Sequence, residues 1–441
     1  MQRPDDGLLG PWMTLSLVIG GMIGAGIFML PVSLAPYGAN AVIAWVISSI
    51  GALSLAYSLA RLARRDGLGI QAYIERELGP TVGFVVTWAF WVSAWASNAA
   101  LAIAAASGLA RIVPSLASST SIAWVAIGLI AFLAIVNALG ARATGRLAIL
   151  TVAIKILPLL AVILILGGTS GAGEPFEPLA AMPISFDSIA GATALTLFAL
   201  LGFETATAPV DKVRHPGRNI PLAILAGTAF VAVLYLLSST AVLLLLPAEV
   251  VATSVAPFAD AIGRTWGEQA ALLAAFGMAV SAFGALNGGV MIAGELSYSM
   301  AVRGDLPALL ARTTRAGTPV LSQLIAAAIA IILVMLNMSR DTAGLFTFVI
   351  LLSTCATLWL YLAGALAALK QRPGPVAMLV ILIGIVFTAF AFYGSGWEAN
   401  KWGLVLLAAG LVIRTVMRWL NSRATSPATA AVPAAPPGSA P

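Results

Sequence analysis

Three features stand out in a chain that is otherwise apolar. Glu204 sits in Leu200-Leu201-Gly202-Phe203-Glu204-Thr205, a carboxylic acid beside a glycine in a hydrophobic stretch. A charged side chain at the centre of a bilayer costs about 2.5–3.5 kcal/mol even on the lenient insertion scale. Lys155 interrupts Ala148–Leu166, which carries no other charge. Gly20-Gly21-Met22-Ile23-Gly24-Ala25-Gly26 places four glycines in seven residues, each costing a helix about 1 kcal/mol relative to alanine. One reading of the glycines is close helix packing, since Gly20 and Gly24 have the GxxxG spacing. Glu204 could likewise only hydrogen-bond a neighbouring helix, and Lys155 could snorkel. The other reading is that both glycine sites break their helices. A break in mid-membrane frees backbone N–H and C=O groups, which is tolerable only where they line a cavity or meet a ligand. N–H groups at a half-helix N-terminus suit a carboxylate. The freed carbonyls suit an ammonium. Together they would receive an α-amino acid or the amine of a polyamine.

The elements that must carry these groups follow from composition. Of 441 residues, 60% are hydrophobic and 9% charged, and the mean hydropathy is +1.01. A soluble domain carries about 25% charge, so a soluble enzyme, a nucleic-acid binder and a disordered protein are excluded. The net charge of +6 is spread too thinly to form a basic domain. One cysteine, Cys355, and one histidine, His215, build neither a disulfide framework nor a metal site, and no cofactor is implied. Helices that cross a bilayer need about 20 apolar residues. Twelve stretches qualify, at roughly 10–34, 40–63, 82–112, 121–139, 145–168, 188–210, 219–246, 267–301, 319–337, 342–369, 374–393 and 400–420. The expected fold class is therefore all-α and polytopic. The segment 67–80 predicts a short interfacial helix, and 422–441, rich in Ala, Pro, Ser and Thr, predicts a disordered tail.

Basic residues set the orientation. With the N-terminus in the cytoplasm, 18 Lys and Arg fall inside, 4 fall outside (Arg111, Arg264, Arg340, Lys401) and Lys155 lies within a span. That ratio supports an even span number with both termini cytoplasmic. The two breaks fall in the first and sixth spans, five apart. Paired interruptions at corresponding places in two halves are the sequence pointer to an inverted-repeat transporter.

The chain resembles the amino acid–polyamine–organocation superfamily, and within it the basic amino acid/polyamine antiporters of the arginine/agmatine type. The residues carrying the likeness are Gly24-Ala25-Gly26-Ile27-Phe28 with Leu30-Pro31, Gly202-Phe203-Glu204-Thr205-Ala206 followed by Arg214-His215-Pro216-Gly217-Arg218-Asn219-Ile220-Pro221, and Arg303-Gly304-Asp305-Leu306-Pro307 with Ala316-Gly317-Thr318-Pro319. The resemblance implies one permease domain over 1–421, with a LeuT-type five-plus-five inverted repeat (about 10–168 and 188–369), broken first and sixth helices, and two extra helices in 374–420. It implies a secondary transporter in a bacterial inner membrane, working by alternating access. Main-chain groups at Ala25 and Gly26 would bind the substrate carboxylate, and carbonyls near Met22, Phe198 and Leu201 its amino group. The Phe198 ring would cap it from outside. Ser93, Ala94, Asn98, Leu101 and Ser353 would surround its side chain. Glu204 matches the antiporters' proton sensor.

Departures from the antiporter pattern bear on substrate. Ala25 replaces a serine, Phe198 replaces a gating tryptophan and is a weaker cation–π partner, and a second tryptophan is replaced near Gly289. In some relatives, including neutral amino acid exchangers, a lysine placed like Lys155 stands where sodium binds in sodium-coupled members. The resemblance thus argues against sodium coupling. Protonation of Glu204, Lys155 or both would bias the inward- and outward-open states, which counts as coupling only if one state is favoured differentially. The leading reading is an exchanger of amino acids or polyamines with proton-sensitive coupling, embedded in lipid and forming a homodimer as the antiporter relatives do. The alternatives are a permease for small neutral amino acids and, from another class, a non-transporting amino acid sensor. Of the remaining polar residues, Glu295 is expected to pair with Arg303 or a loop base, and Asn137 and Asn337 to close helix ends. Trp91 and Trp95 are expected to pack.

Overall fold

The structure, a computed structural model, describes residues 10–24, 26–63, 70–138, 144–173, 175–204, 213–314 and 317–425. Among them every extended regular element is a helix: α1 (Pro11–Met22), α2 (Gly26–Leu34), α3 (Ala39–Ala63), α4 (Ile70–Leu78), α5 (Pro80–Ile112), α6 (Ser119–Ala138), α7 (Thr144–Gly171), α8 (Phe186–Leu200), α9 (Pro216–Leu245), α10 (Ala248–Thr253), α11 (Pro257–Trp266), α12 (Glu268–Val302), α13 (Val320–Leu336), α14 (Thr342–Lys370), α15 (Pro375–Gly394) and α16 (Gly396–Thr425). Nine of these are long and apolar enough to span a bilayer, or ten if α1 and α2 form one span bent by 42°. α8 and α13 are apolar but shorter, at 15 and 17 residues. Length decides little for α8, because its helix stops at a break inside the predicted sixth stretch.

Capping explains several boundaries. Ser185 accepts from the Ser188 N–H at the start of α8, and Asp341 accepts from the Gly344 N–H at the start of α14, satisfying donors that the first turn of a helix leaves over. α4 lies within the segment expected to hold a short helix and buries Tyr73 and Ile74. α10 and α11 were not foreseen: both are short, and α11 mixes Phe258 and Ile262 with Asp260 and Arg264. Its Asp260 and the Glu268 of α12 both accept from Arg111 at the end of α5, at 2.8 and 2.7 Å.

α5 and α14 form the centre of the bundle. In their most apolar windows 78% of residues are buried, against 17% in α16. α5 packs on α12 and α14, and α3 on α8 and α9. The outer helices instead present Leu, Val and Trp outward, among them Leu404, Val412 and Trp419, as surfaces in contact with lipid would. α16 is fastened at its C-terminal half. Asp305 accepts from Arg414 Nε at 2.9 Å and Arg418 Nε at 3.0 Å. Arg414 also donates to the Pro80 carbonyl at 3.0 Å and lies 5.0 Å from the Phe84 ring centroid. The clamp therefore joins α16 to the α12–α13 connection and to the start of α5. α16 continues to Thr425, past the boundary expected at 421; residues 426–441 lie outside the described residues.

One polar expectation is corrected and another is narrowed. Asn137 does not close its own helix: its Nδ2 donates across to Asn287 Oδ1 on α12 at 2.9 Å. Arg303 pairs with Glu75 of α4 at 2.8 Å, so its guanidinium is drawn to α4 rather than to Glu295. Asn337 behaves as expected, donating to the Leu333 carbonyl at 2.9 Å.

Candidate functional site

The first break ends the helical hydrogen bonding of α1, and the Gly20 carbonyl loses its usual partner four residues on. The last helical bond runs from Ile23 N–H to the Ile19 carbonyl, and Gly24 N–H turns back to Met22 at 2.8 Å. Side chains from distant helices meet carbonyls at this end of α1. Lys155 of α7 donates from Nζ to the Gly20 oxygen at 3.4 Å. Tyr235 of α9 donates from its hydroxyl to the Met22 oxygen at 2.9 Å. The Gly21 carbonyl faces the second break. Lys155 is 5% exposed and Tyr235 fully buried, so each polar group is held where water would not supply a partner.

The second break follows α8. Leu201 is extended (φ −65°, ψ 155°), and its N–H reaches only the Phe198 carbonyl at 3.2 Å. Gly202 has φ +109°, a region nearly closed to residues with a Cβ. A Cβ there would lie 2.7 Å from the Gly21 oxygen. The two breaks are therefore in contact, backbone against backbone. Glu204 is 8% exposed. Its Oε2 accepts from the Gly202 N–H at 3.2 Å and from the Tyr361 hydroxyl of α14 at 2.9 Å. Tyr361 stacks on Phe203 with centroids 4.8 Å apart, which fixes the hydroxyl toward the acid.

The remaining expected residues fall into three groups. Phe198 lies against the start of α2: a Cβ on Gly26 would sit 2.6 Å from its Cε1. It meets Phe346 edge-on, centroids 6.4 Å apart. Ala94, Asn98 and Leu101 form one stripe of α5 by helical spacing. Leu101 borders the first break, its Cδ2 3.4 Å from a Cβ on Gly24. Asn98 Oδ1 would stand 2.0 Å from a Cβ on Gly289 of α12, and among the described residues it has no hydrogen-bond partner. Ser93 and Ser353 turn toward each other instead. Ser93 hydrogen-bonds Ser353 at 2.9 Å and Thr357 at 2.5 Å, and Ser97 hydrogen-bonds Ser353 at 2.8 Å, making a hydroxyl seam between α5 and α14. Ala25 lies outside the described residues.

Tyr235 and Tyr361 escaped the sequence reading. Each is a lone phenol in a leucine-rich run, Leu234-Tyr235-Leu236 and Leu360-Tyr361-Leu362. A hydroxyl at that depth requires a partner, and this was the available signal. The aromatic residues of α5 do pack, in a ladder from Phe84 through Trp88 and Trp91 to Trp95.

The carbonyl end of α1, a buried acid and a buried amine meet at two touching breaks of the backbone, and this arrangement accords with what comparison with known proteins finds. A family model for amino acid permeases matches residues 9–412. The chain belongs to the amino acid permease family. This family is part of the amino acid–polyamine–organocation superfamily, and its members are membrane transport proteins rather than enzymes. The permease is 26% identical over 431 residues to the putrescine transporter PotE of Escherichia coli (strain K12), covering 93% of this chain and 96% of that one. It is 28% identical over 411 residues to the Haemophilus influenzae protein of the same name, covering 89% and 93%. It is 28% identical over 346 residues to the cadaverine/lysine antiporter of Escherichia coli (strain K12), covering 76% of each. These similarities are to transporters of the basic amino acid/polyamine antiporter group.

Proposed function

We propose that the permease exchanges cationic amines and amino acids across a bacterial inner membrane by alternating access, at a site between the two helix breaks. The observation that carries this reading is the close approach of Gly202 to the Gly21 carbonyl, which brings both breaks together two residues from Glu204. The substrate ammonium meets the carbonyl end of α1 and the ends of α8 at Phe198 and Leu201. A substrate carboxylate meets main-chain groups at Ala25 and Gly26. Asn98 contributes its unpartnered amide oxygen to a distal amine, since an acceptor buried without a donor costs about 1–3 kcal/mol until one arrives. The names carried by PotE and the cadaverine/lysine antiporter support amines of this class. The arginine/agmatine pattern of residues belongs to the same reading.

The architecture that goes with it is a twelve-span bundle with a five-plus-five inverted repeat, both termini cytoplasmic, two additional helices at the end, and a homodimeric assembly. The 42° bend between α1 and α2 and the stop of α8 at Leu200 support paired broken helices. Coupling resides in Glu204 and Lys155. Each holds backbone at a break, Glu204 through Gly202 N–H and Lys155 through the Gly20 carbonyl. A change of charge at either therefore acts on the pieces that must move.

A second reading, exchange of small neutral amino acids, is favoured by Lys155, whose Nζ donates to the Gly20 carbonyl at the first break, and by Phe198 and Gly289 standing where the antiporters carry tryptophans. Counterflow in sodium-free proteoliposomes separates the two. Vesicles loaded in turn with putrescine, cadaverine, lysine, arginine, agmatine, alanine, serine and methionine are tested at acid and neutral pH. Accumulation is expected with the cationic partners. Accumulation with neutral amino acids alone would replace the first reading by the second, and no exchange with any would revive the sensor.

A further inference from the structure

On the side of Phe198 and Phe346 away from the breaks, a cavity of about 570 Å³ opens between α2, α14 and the start of α16. Its floor is the Ser33–Thr347 hydrogen bond at 2.7 Å. Ser33 lies seven residues along α2 from Gly26, about 10 Å above the first break. One stripe of α14 (Gly344, Thr347, Phe348, Leu351) lines the cavity, and Phe346 on the same helix meets Phe198.

A cation already lies in this cavity, and the chain supplies it. The Arg340 guanidinium stands 4.7 Å from the Phe348 ring centroid. Its Nη2 donates to Glu398 Oε1 at 2.6 Å and its Nε to Asn337 Oδ1 at 3.1 Å. A carboxylate beside an aromatic face is what an ammonium or guanidinium ligand requires. Arg340 and Glu398 are 36% and 55% exposed, so water screens their attraction and the pair exchanges readily. Asp341, whose Oδ1 caps the Gly344 N–H at 3.1 Å, leaves Arg340, Asp341 and Glu398 together with an excess of one negative charge. Such a field concentrates cations at the mouth of a path.

We propose that this cavity is an outer recognition site for primary ammonium or guanidinium groups, with Arg340 as a tethered occupant that the arriving substrate displaces from Glu398 and Phe348. The proposal rests on the cationic reading above. It assigns Glu398 and Phe348 to recognition and Arg340 to competition with the substrate, so variants at the two ends of one ion pair have opposite effects.

The test measures initial rates of putrescine exchange in proteoliposomes, with putrescine titrated on the face that carries the cavity. Glu398→Gln is expected to raise the half-saturating concentration roughly fivefold with little change in maximal rate. Arg340→Gln is expected to lower it by a similar factor, and Arg340→Lys, which keeps a competitor, to stay near wild type. Phe348→Leu is expected to follow Glu398→Gln. Shifts of the same sign for Glu398→Gln and Arg340→Gln, or none, would overturn the outer site while active wild-type exchange left the central reading standing. A wild type that exchanges no cationic amine would remove the central reading, and the outer site with it.

Discussion

Glu204 and Gly202 each perform two tasks at once, and this makes their substitutions informative. The Glu204 carboxylate holds the Gly202 N–H and the Tyr361 hydroxyl. Glutamine keeps the shape and an accepting oxygen but no longer gains or loses a charge. Glu204→Gln is expected to fold, to retain exchange at one pH, and to lose most of the difference in rate between acid and neutral pH. An unchanged pH profile in the counterflow assay would end its role in coupling. Gly202→Ala meets a steric limit instead. Positive φ costs a non-glycine residue about 1–3 kcal/mol, and the new Cβ would approach the Gly21 oxygen to 2.7 Å with no flexible side chain to yield. Exchange is expected to fall at least tenfold while the protein still reaches the membrane. Wild-type rates for this variant would mean that the breaks need not touch.

At the scale of elements, the clamp of Asp305 with Arg414 and Arg418 fastens a helix that is otherwise mostly exposed. Asp305 and Arg414 side chains are each 6% exposed. Removing one partner of a buried pair costs about 3–5 kcal/mol, because the other charge stays behind. Asp305→Ala is expected to lower the thermal unfolding midpoint clearly, whereas Arg418→Ala, with Arg418 52% exposed, is expected to have a small effect. Equal effects in a fluorescence melting experiment would refute the distinction. Which elements could be anticipated follows the same physics. The breaks were legible because glycine in mid-helix is costly and so conspicuous at Gly20–Gly26 and Gly202. Long spans such as α5 and α14 were legible from hydropathy alone. α10 and α11 were not, being short and held by pairs such as Arg111–Asp260 that join residues 149 apart. Tyr235 and Tyr361 were hidden for a related reason: a tyrosine amid leucines looks like packing until the carbonyl or carboxylate opposite it is known.

For the molecule as a whole, the single cysteine provides a way to read orientation. Cys355 is buried and its thiol donates to Asn400 Oδ1 at 3.3 Å, so native protein is expected to resist a membrane-impermeant maleimide. α16 runs from Gly396 to Thr425, and Trp397 and Asn421 near its ends are separated by 24 residues, about 36 Å, against roughly 30 Å for the hydrocarbon core. Trp397→Cys and Asn421→Cys are expected to label from opposite sides of sealed vesicles, with Asn421→Cys on the cytoplasmic side. Labelling of both from one side would refute α16 as a span. The hydroxyl seam at the centre bears on how such a body can move. Ser93 and Ser97 are one turn apart on α5, as are Ser353 and Thr357 on α14, and each hydroxyl can give or accept. If the two helices slid past each other by a turn, about 5.4 Å, Ser97 would come opposite Thr357, or Ser93 would keep Ser353 alone. The seam therefore behaves as a ratchet with evenly spaced teeth. Either slide leaves at least one hydroxyl pair in place, whereas separation of the helices breaks all three, so shear costs less than splaying.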